Sequence, residues 1–176
     1  VAHGTPPAPR PRIVVMGVSG CGKSTVATLL AARLGVQFVD ADDLHPDANV
    51  ARMSAGIPLT DDDRAPWLDL VAATLVAAPD GLVVACSALR RTYRDRLRAG
   101  APGTTHVHLD GAPELLAARL GARTDHFMPS SLLGTQLATL EALADDEVGI
   151  RLDVAATPDE LADAAADWWR AANLRQ

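Results

Sequence analysis

Gly17-Val18-Ser19-Gly20-Cys21-Gly22-Lys23-Ser24 spells G-x-x-x-x-G-K-[ST], the pattern of a loop that wraps phosphate in backbone amides. Lys23 is the only lysine among sixteen lysines and arginines, so general lysine usage does not explain it. A terminal phosphate suits a compact ammonium on a flexible stem better than a planar guanidinium. The flanks constrain the fold further. Arg12-Ile13-Val14-Val15-Met16 is a short apolar, β-branched run that reads as a buried strand. Val26, Leu29, Leu30 and Leu34 recur with helical spacing after Ser24, and Gly35 stands where the helix would end. The loop therefore joins a strand to a helix N-terminus, where unpaired N–H groups and the helix dipole favour an anion. Gly17, Ser19, Gly20, Cys21, Gly22, Lys23, Ser24 and Thr25 are the expected nucleotide-phosphate contacts, with Cys21 a spacer and Ser24 a Mg²⁺ ligand.

Further apolar runs, at Gln37–Asp40, Leu82–Cys86, Thr105–Leu109 and Ile150–Val154, alternate with helical patterns near 45–54, 64–78, 90–99, 112–122, 130–142 and 158–172. Such alternation predicts an α/β protein: a five-stranded parallel sheet covered by helices on both faces, with ligands bound beyond the carboxyl ends of the strands. At 176 residues the chain is expected to form one domain over 12–176, after a Pro-rich disordered tail over 1–11. Two cysteines give no disulfide framework and suggest a reduced cytoplasmic setting. A net charge of −6 argues against a nucleic-acid partner, and no long apolar run points to a membrane. In so acidic a chain, local clusters of arginine carry information.

Two carboxylates, Asp40 and Asp42, follow the second strand at a spacing of two. One could hold Mg²⁺ through water, and the other could take a proton from an attacking hydroxyl. Helix capping is the plainer role for such residues, and it accounts well for Thr60-Asp61-Asp62-Asp63. It does not account for His45, Arg64 or Trp67. After the third strand, Ser87 precedes five arginines within residues 90–98, where Arg90 and Arg94 share a helix face and could hold a small anion. Arg119 and Arg123 lie one turn apart ahead of a loop containing His126, an arrangement suited to a cationic lid over 119–135. His106 and His108 alternate on a strand, with no third ligand spaced for a metal.

GVSGCGKST, DADDLHP, NVARMSAGIPLTDDDRAPWL, ACSALRRTYRDRLR and ARTDHFMPSSLLGTQLATLE occur in this order, and together they resemble the gluconokinases from about Ile13 to Leu174. Arg90-Arg91 stands where some relatives use lysines, and Thr124-Asp125 where a basic or glycine-containing pair is common. The resemblance implies a fold like that of nucleoside monophosphate and shikimate kinases, with strand order 2-3-1-4-5, substrate-binding helices over about 43–78, a lid and a homodimer. It also implies Mg-ATP, gluconate as acceptor and 6-phosphogluconate as product. On that footing Lys23, Asp42, Arg119 and Arg123 are the catalytic candidates, with Asp42 as base. His45, Arg52, Arg64, Ser87, Arg90, Arg94 and His126 join Asp42 as substrate-binding candidates. Ser24 and Asp40 are the Mg²⁺ candidates, and adenine is expected near Asp153–Pro158. Another small acceptor such as shikimate is the near alternative, but the segment Ser87-Ala88-Leu89-Arg90 lacks the glycines it would favour. A nucleotide-binding module without turnover would have no use for Asp40 and Asp42 beside the phosphate loop.

Overall fold

The computed structural model describes residues 9–122 and 130–174. Five strands form one parallel sheet: β1 (Arg12–Met16), β2 (Gln37–Asp40), β3 (Leu82–Ala85), β4 (Thr105–Asp110) and β5 (Gly149–Asp153), in the order β2-β3-β1-β4-β5. This is the order implied by the family resemblance. The helices are α1 (Lys23–Leu34), α2 (Asp47–Ser54), α3 (Asp61–Ala77), α4 (Arg91–Gly100), α5 (Pro113–Gly121), α6 (Ser130–Thr139) and α7 (Pro158–Asn173), with a 3-10 turn over Ala41–Leu44.

Alternation along the central strand splits the core in two. Ile13 and Val15 face one way and pack with Val26, Leu30 and Leu161 from α1 and α7. Val14 and Met16 face the other way and pack with Trp67, Leu68, Leu75 and Leu97 from α3 and α4. Both faces of the sheet are therefore apolar, which is why the strands read as continuous hydrophobic runs.

Element boundaries differ from expectation at three places. α3 begins at Asp61, ahead of the helical pattern near 64–78 and in keeping with the capping role expected of Thr60–Asp63: Thr60 and Asp63 form a reciprocal capping box. The helix expected from 45 begins at Asp47, after the Ala41–Leu44 turn, which is capped by the Asp40 carboxylate accepting from Asp42 N–H. Residues 9–11, expected as part of the tail, are among the described residues: Pro11 is buried and its carbonyl accepts from Leu82 N–H at 2.7 Å. The rest of the expected tail, 1–8, and the lid residues 123–129, which include Arg123, Thr124, Asp125 and His126, lie outside the described residues. Among the described residues, no helix is long and apolar enough to cross a membrane.

Candidate active site

The phosphate loop leaves β1 by a turn that requires glycine. Gly17 has φ 146°, and a Cβ there would lie 2.6 Å from the Leu109 carbonyl oxygen and 2.7 Å from Cys21 Sγ. Gly22, left-handed at φ 89°, is the N-cap of α1. This helix start has no capping side chain and no acid in its first turn, whereas α3 and α7 both begin with capping boxes. The α1 N-terminus thus presents its first-turn N–H groups and positive dipole at the mouth of the loop, as an anion site requires. Lys23 folds back and donates to the Val18 carbonyl at 3.2 Å. Gly17 N–H donates to the Ser87 carbonyl at 3.3 Å, so the loop and the segment after β3 are fastened together.

Asp40 stands directly beside the loop. Ser24 Oγ donates to Asp40 Oδ2 at 2.8 Å, and Asp42 N–H donates to Asp40 Oδ1 at 3.0 Å. Ser24 and Asp40 supply hard oxygen donors next to the phosphate cradle. Among the described residues there is no group of three or more His, Cys, Asp or Glu side chains placed to hold a metal. A small donor set of this kind fits Mg²⁺, which keeps several waters and binds substrate phosphate rather than filling an all-protein cage.

Asp42 lies at the rim of the cleft. Its surface is open to solvent, yet the surrounding protein and then the Asp40 charge push its carboxyl above the ordinary aspartate value; Lys23 and His45 act in the opposite direction. The His45 imidazole is pulled below its ordinary value, first by burial and also by Arg64, against the pull of Asp42. It stacks on Trp67 with ring centroids 4.2 Å apart, and its Nδ1 lies 3.3 Å from Asn49 Nδ2. Trp67 Nε1 donates to the Ala41 carbonyl at 2.7 Å, and Asn49 Nδ2 to the Asp63 carbonyl at 2.9 Å. These contacts pin the turn that carries Asp42 against α3.

Beyond His45 is a cationic cluster. Arg64 and Arg90 lie over the Tyr93 ring, their guanidinium carbons 5.6 and 5.9 Å from its centroid. Tyr93 Oη donates to Asp61 Oδ1 at 2.5 Å, Arg90 Nη1 to Asp61 Oδ2 at 3.2 Å, and Arg64 Nη1 approaches Asp61 at 3.7 Å. Two guanidiniums and one carboxylate leave this cluster with a net positive charge, and the Tyr93 hydroxyl is committed to Asp61.

The structure brings Ser24, Lys23, Asp40, Asp42, His45, Arg64, Ser87 and Arg90 to the carboxyl ends of β1, β2 and β3 and the helices that follow. It corrects Arg94, which does not face this cleft. Its side chain is fully buried, pairs with Glu147 through Nε and Nη2 at 2.8 Å each, and donates to the carbonyls of Ala88, Leu89, Glu141 and Ala142. No donor is left for a substrate. Arg52 lies against Asp63 at 3.3 Å and ties α2 to the start of α3. Arg119 donates to the Val154 carbonyl at 2.7 Å, while its neighbours Leu116 and Leu120 on α5 press on Gly20 of the phosphate loop. Cys86 is buried with its thiol pushed up to about 12, chiefly by desolvation, so it is no nucleophile.

Three residues of this arrangement had no binding role in the sequence reading: Asn49, Asp61 and Tyr93; Trp67 stood out only as unexplained by capping. Asp61 looked like a first-turn helix acid, and three acids in a row hid which one turns inward. Tyr93 carried a usable signal, being the only tyrosine in the chain.

A family profile described as an AAA domain matches residues 13–143. The gluconokinase of Gluconobacter oxydans (strain 621H) is 53% identical over 161 residues, covering 89% of this chain and 90% of that protein. The chain belongs to the gluconokinase family. The crystal structure of a gluconokinase from Sinorhizobium meliloti 1021 superposes with a TM-score of 0.85 at 46% identity, covering 95% of this chain and 97% of that one. The family fold extends to shikimate kinase from Aquifex aeolicus vf5, at a TM-score of 0.58 and 16% identity over 93% of this chain and 98% of that one, a likeness of fold alone.

Proposed function

We propose that this protein transfers the terminal phosphoryl group of ATP to the primary hydroxyl of D-gluconate, giving 6-phosphogluconate and ADP. The observation that carries the reading is the run of contacts between the phosphate loop and a cationic cluster: Ser24 bonds Asp40, Asp40 accepts from Asp42 N–H, His45 stacks on Trp67, and Arg64 and Arg90 meet over Tyr93.

The loop amides and Lys23 hold the β- and γ-phosphates. Ser24 and Asp40 would hold Mg²⁺, which when bound neutralises charge on those phosphates. Arg64 and Arg90, held over the Tyr93 ring, bind the carboxylate of the sugar acid, and His45, neutral near pH 7, hydrogen-bonds its hydroxyls. This fixes the acid end of the chain and swings the far hydroxyl toward the loop. Asp42 accepts the proton of that hydroxyl as its oxygen bonds to the γ-phosphorus and the bond to the bridging oxygen breaks. A carboxylate raised above its ordinary value is a stronger base for this step. Arg119 and Arg123 supply further positive charge to the transferring phosphoryl group, and His126 contacts substrate. Adenine rests beyond β5, next to the groove lined by Asp110, Gly111, Ala112, Arg151, Leu152 and Asp153. We further place the protein in a reducing cytoplasm, in keeping with its two buried cysteines outside any disulfide, and as the homodimer implied by the family.

A coupled assay of ADP release with gluconate, with shikimate and with no acceptor tests the reading. Gluconate-dependent ADP formation is expected. Equal release without acceptor, or preference for shikimate, overturns it.

A further inference from the structure

Ser19, the third residue of the phosphate loop, does not leave its amide to the loop. Ser19 N–H donates to Gln136 Oε1 at 2.6 Å, from a residue 117 positions away on α6. The helix that carries Gln136 is firmly seated: Leu133 is buried in one core cluster, Leu137 packs on it, and Leu140 packs on both clusters. One turn further on, Glu141 N–H donates to the Leu89 carbonyl at 2.8 Å and Glu141 Oε2 accepts from Arg91 N–H at 2.5 Å. Arg94 donates to the Glu141 carbonyl at 3.0 Å and holds this segment from beneath. A single stretch, Gln136 to Glu141, is therefore tied to the phosphate loop at one end and to the arginine-bearing segment after β3 at the other.

We propose that Gln136 is a positioning residue for phosphoryl transfer. Its amide oxygen fixes the Val18–Ser19 peptide, so that the loop amides further along converge on the nucleotide phosphates, and its helix holds the loop in register with Arg90. The chemistry of the side chain fits that role. The loop N–H needs an acceptor, and a neutral amide provides one without setting a negative charge beside a polyphosphate. A glutamate would accept the same bond and repel the ligand.

This inference rests on ATP being the donor, a point that the wild-type protein tests by itself. Two variants then separate positioning from general packing. Gln136→Leu keeps the size and helix preference but removes the acceptor. It is expected to raise the KM for ATP about fivefold to tenfold, the equivalent of one net hydrogen bond, while the KM for gluconate and the midpoint of urea unfolding stay as in the wild type. Gln136→Glu keeps the acceptor and adds charge. Its KM for ATP is expected to rise further than that of Gln136→Leu, with the excess shrinking as salt is added. An unchanged KM for ATP in Gln136→Leu overturns the proposal. So does a parallel rise in both KM values with a lowered unfolding midpoint, or a Gln136→Glu protein that binds ATP like the wild type. If wild-type turnover does not use ATP, the donor reading fails, and the loop claim is then read from calorimetric pyrophosphate binding, with the same weakening expected in Gln136→Leu and unchanged binding overturning it.

Discussion

The two ends of the cleft are built by different means. The phosphate end comes from one continuous stretch, Gly17 to Ser24, and uses backbone: a left-handed glycine, an uncapped helix start and one lysine. The acid end borrows side chains from separate elements. Asp61 and Arg64 come from α3, Tyr93 from α4, Arg90 from its N-cap and His45 from the segment before α2. A backbone site needs only its local turn to form. A side-chain site needs every helix around it to be docked first, so its integrity depends on packing that never touches the substrate.

The largest expected effect follows from that dependence. Arg94→Ala leaves Glu147 buried without its main partner beneath the acid end. Breaking such a pair removes about 3–5 kcal/mol, a large part of the roughly 5–15 kcal/mol that holds a domain folded. Urea unfolding should show this loss, and a midpoint like that of the wild type would break the distinction drawn between Arg94 and Arg90. The pH dependence has a definite sign. Glu147 is held well below its ordinary value by hydrogen bonds from Arg94 first, then from the Ala144 N–H and Arg98. Its contribution is therefore complete above about pH 4.3, the ordinary glutamate value, and is lost as acid protonates it below that.

Asp42→Asn probes the point where the two ends meet. It is nearly isosteric and should lower kcat by ~10²–10⁴, the usual worth of a general base, with little change in ATP affinity. In the wild type, kcat should fall with acid through an apparent pKa above the ordinary aspartate value of about 3.9, because Asp42 must be ionised to accept a proton. A variant that loses only ATP affinity would move Asp42 from the base to the phosphate end. Smaller again is Arg90→Ala. Removing one charge-assisted contact at an exposed position should raise the KM for gluconate about tenfold, leaving the KM for ATP and the unfolding midpoint unchanged. A matching rise in both KM values would mean that the ends are not separable.

The same contrast explains what could be read from sequence. The place of the phosphate loop between β1 and α1 was legible because it is a local pattern with a fixed chemical meaning, whereas the strand order came from the family resemblance. The capping box at Thr60 was legible for the same reason, although it draws the start of α3 upstream. Arg94 misled because helical spacing gives the direction of a side chain relative to Arg90 but not what packs on that face; Glu147 comes from a segment 53 residues away. Asp61 and Tyr93 were hidden for the converse reason. Each has an ordinary local role, and only the docking of α3 on α4 makes them partners. The Gln136 bond to Ser19 joins residues 117 positions apart and leaves no local mark at all.

The most direct test compares gluconate with D-glucitol, the same six-carbon chain with its carboxylate replaced by a hydroxymethyl group, in the ADP-release assay. If Arg64 and Arg90 grip the acid so that the far hydroxyl meets Asp42 and the phosphate loop, kcat/KM should drop by ~10²-fold or more when that charge is gone. Comparable turnover of the two would contradict the account, since it would show a hydroxyl delivered to the phosphate without the cationic end of the cleft.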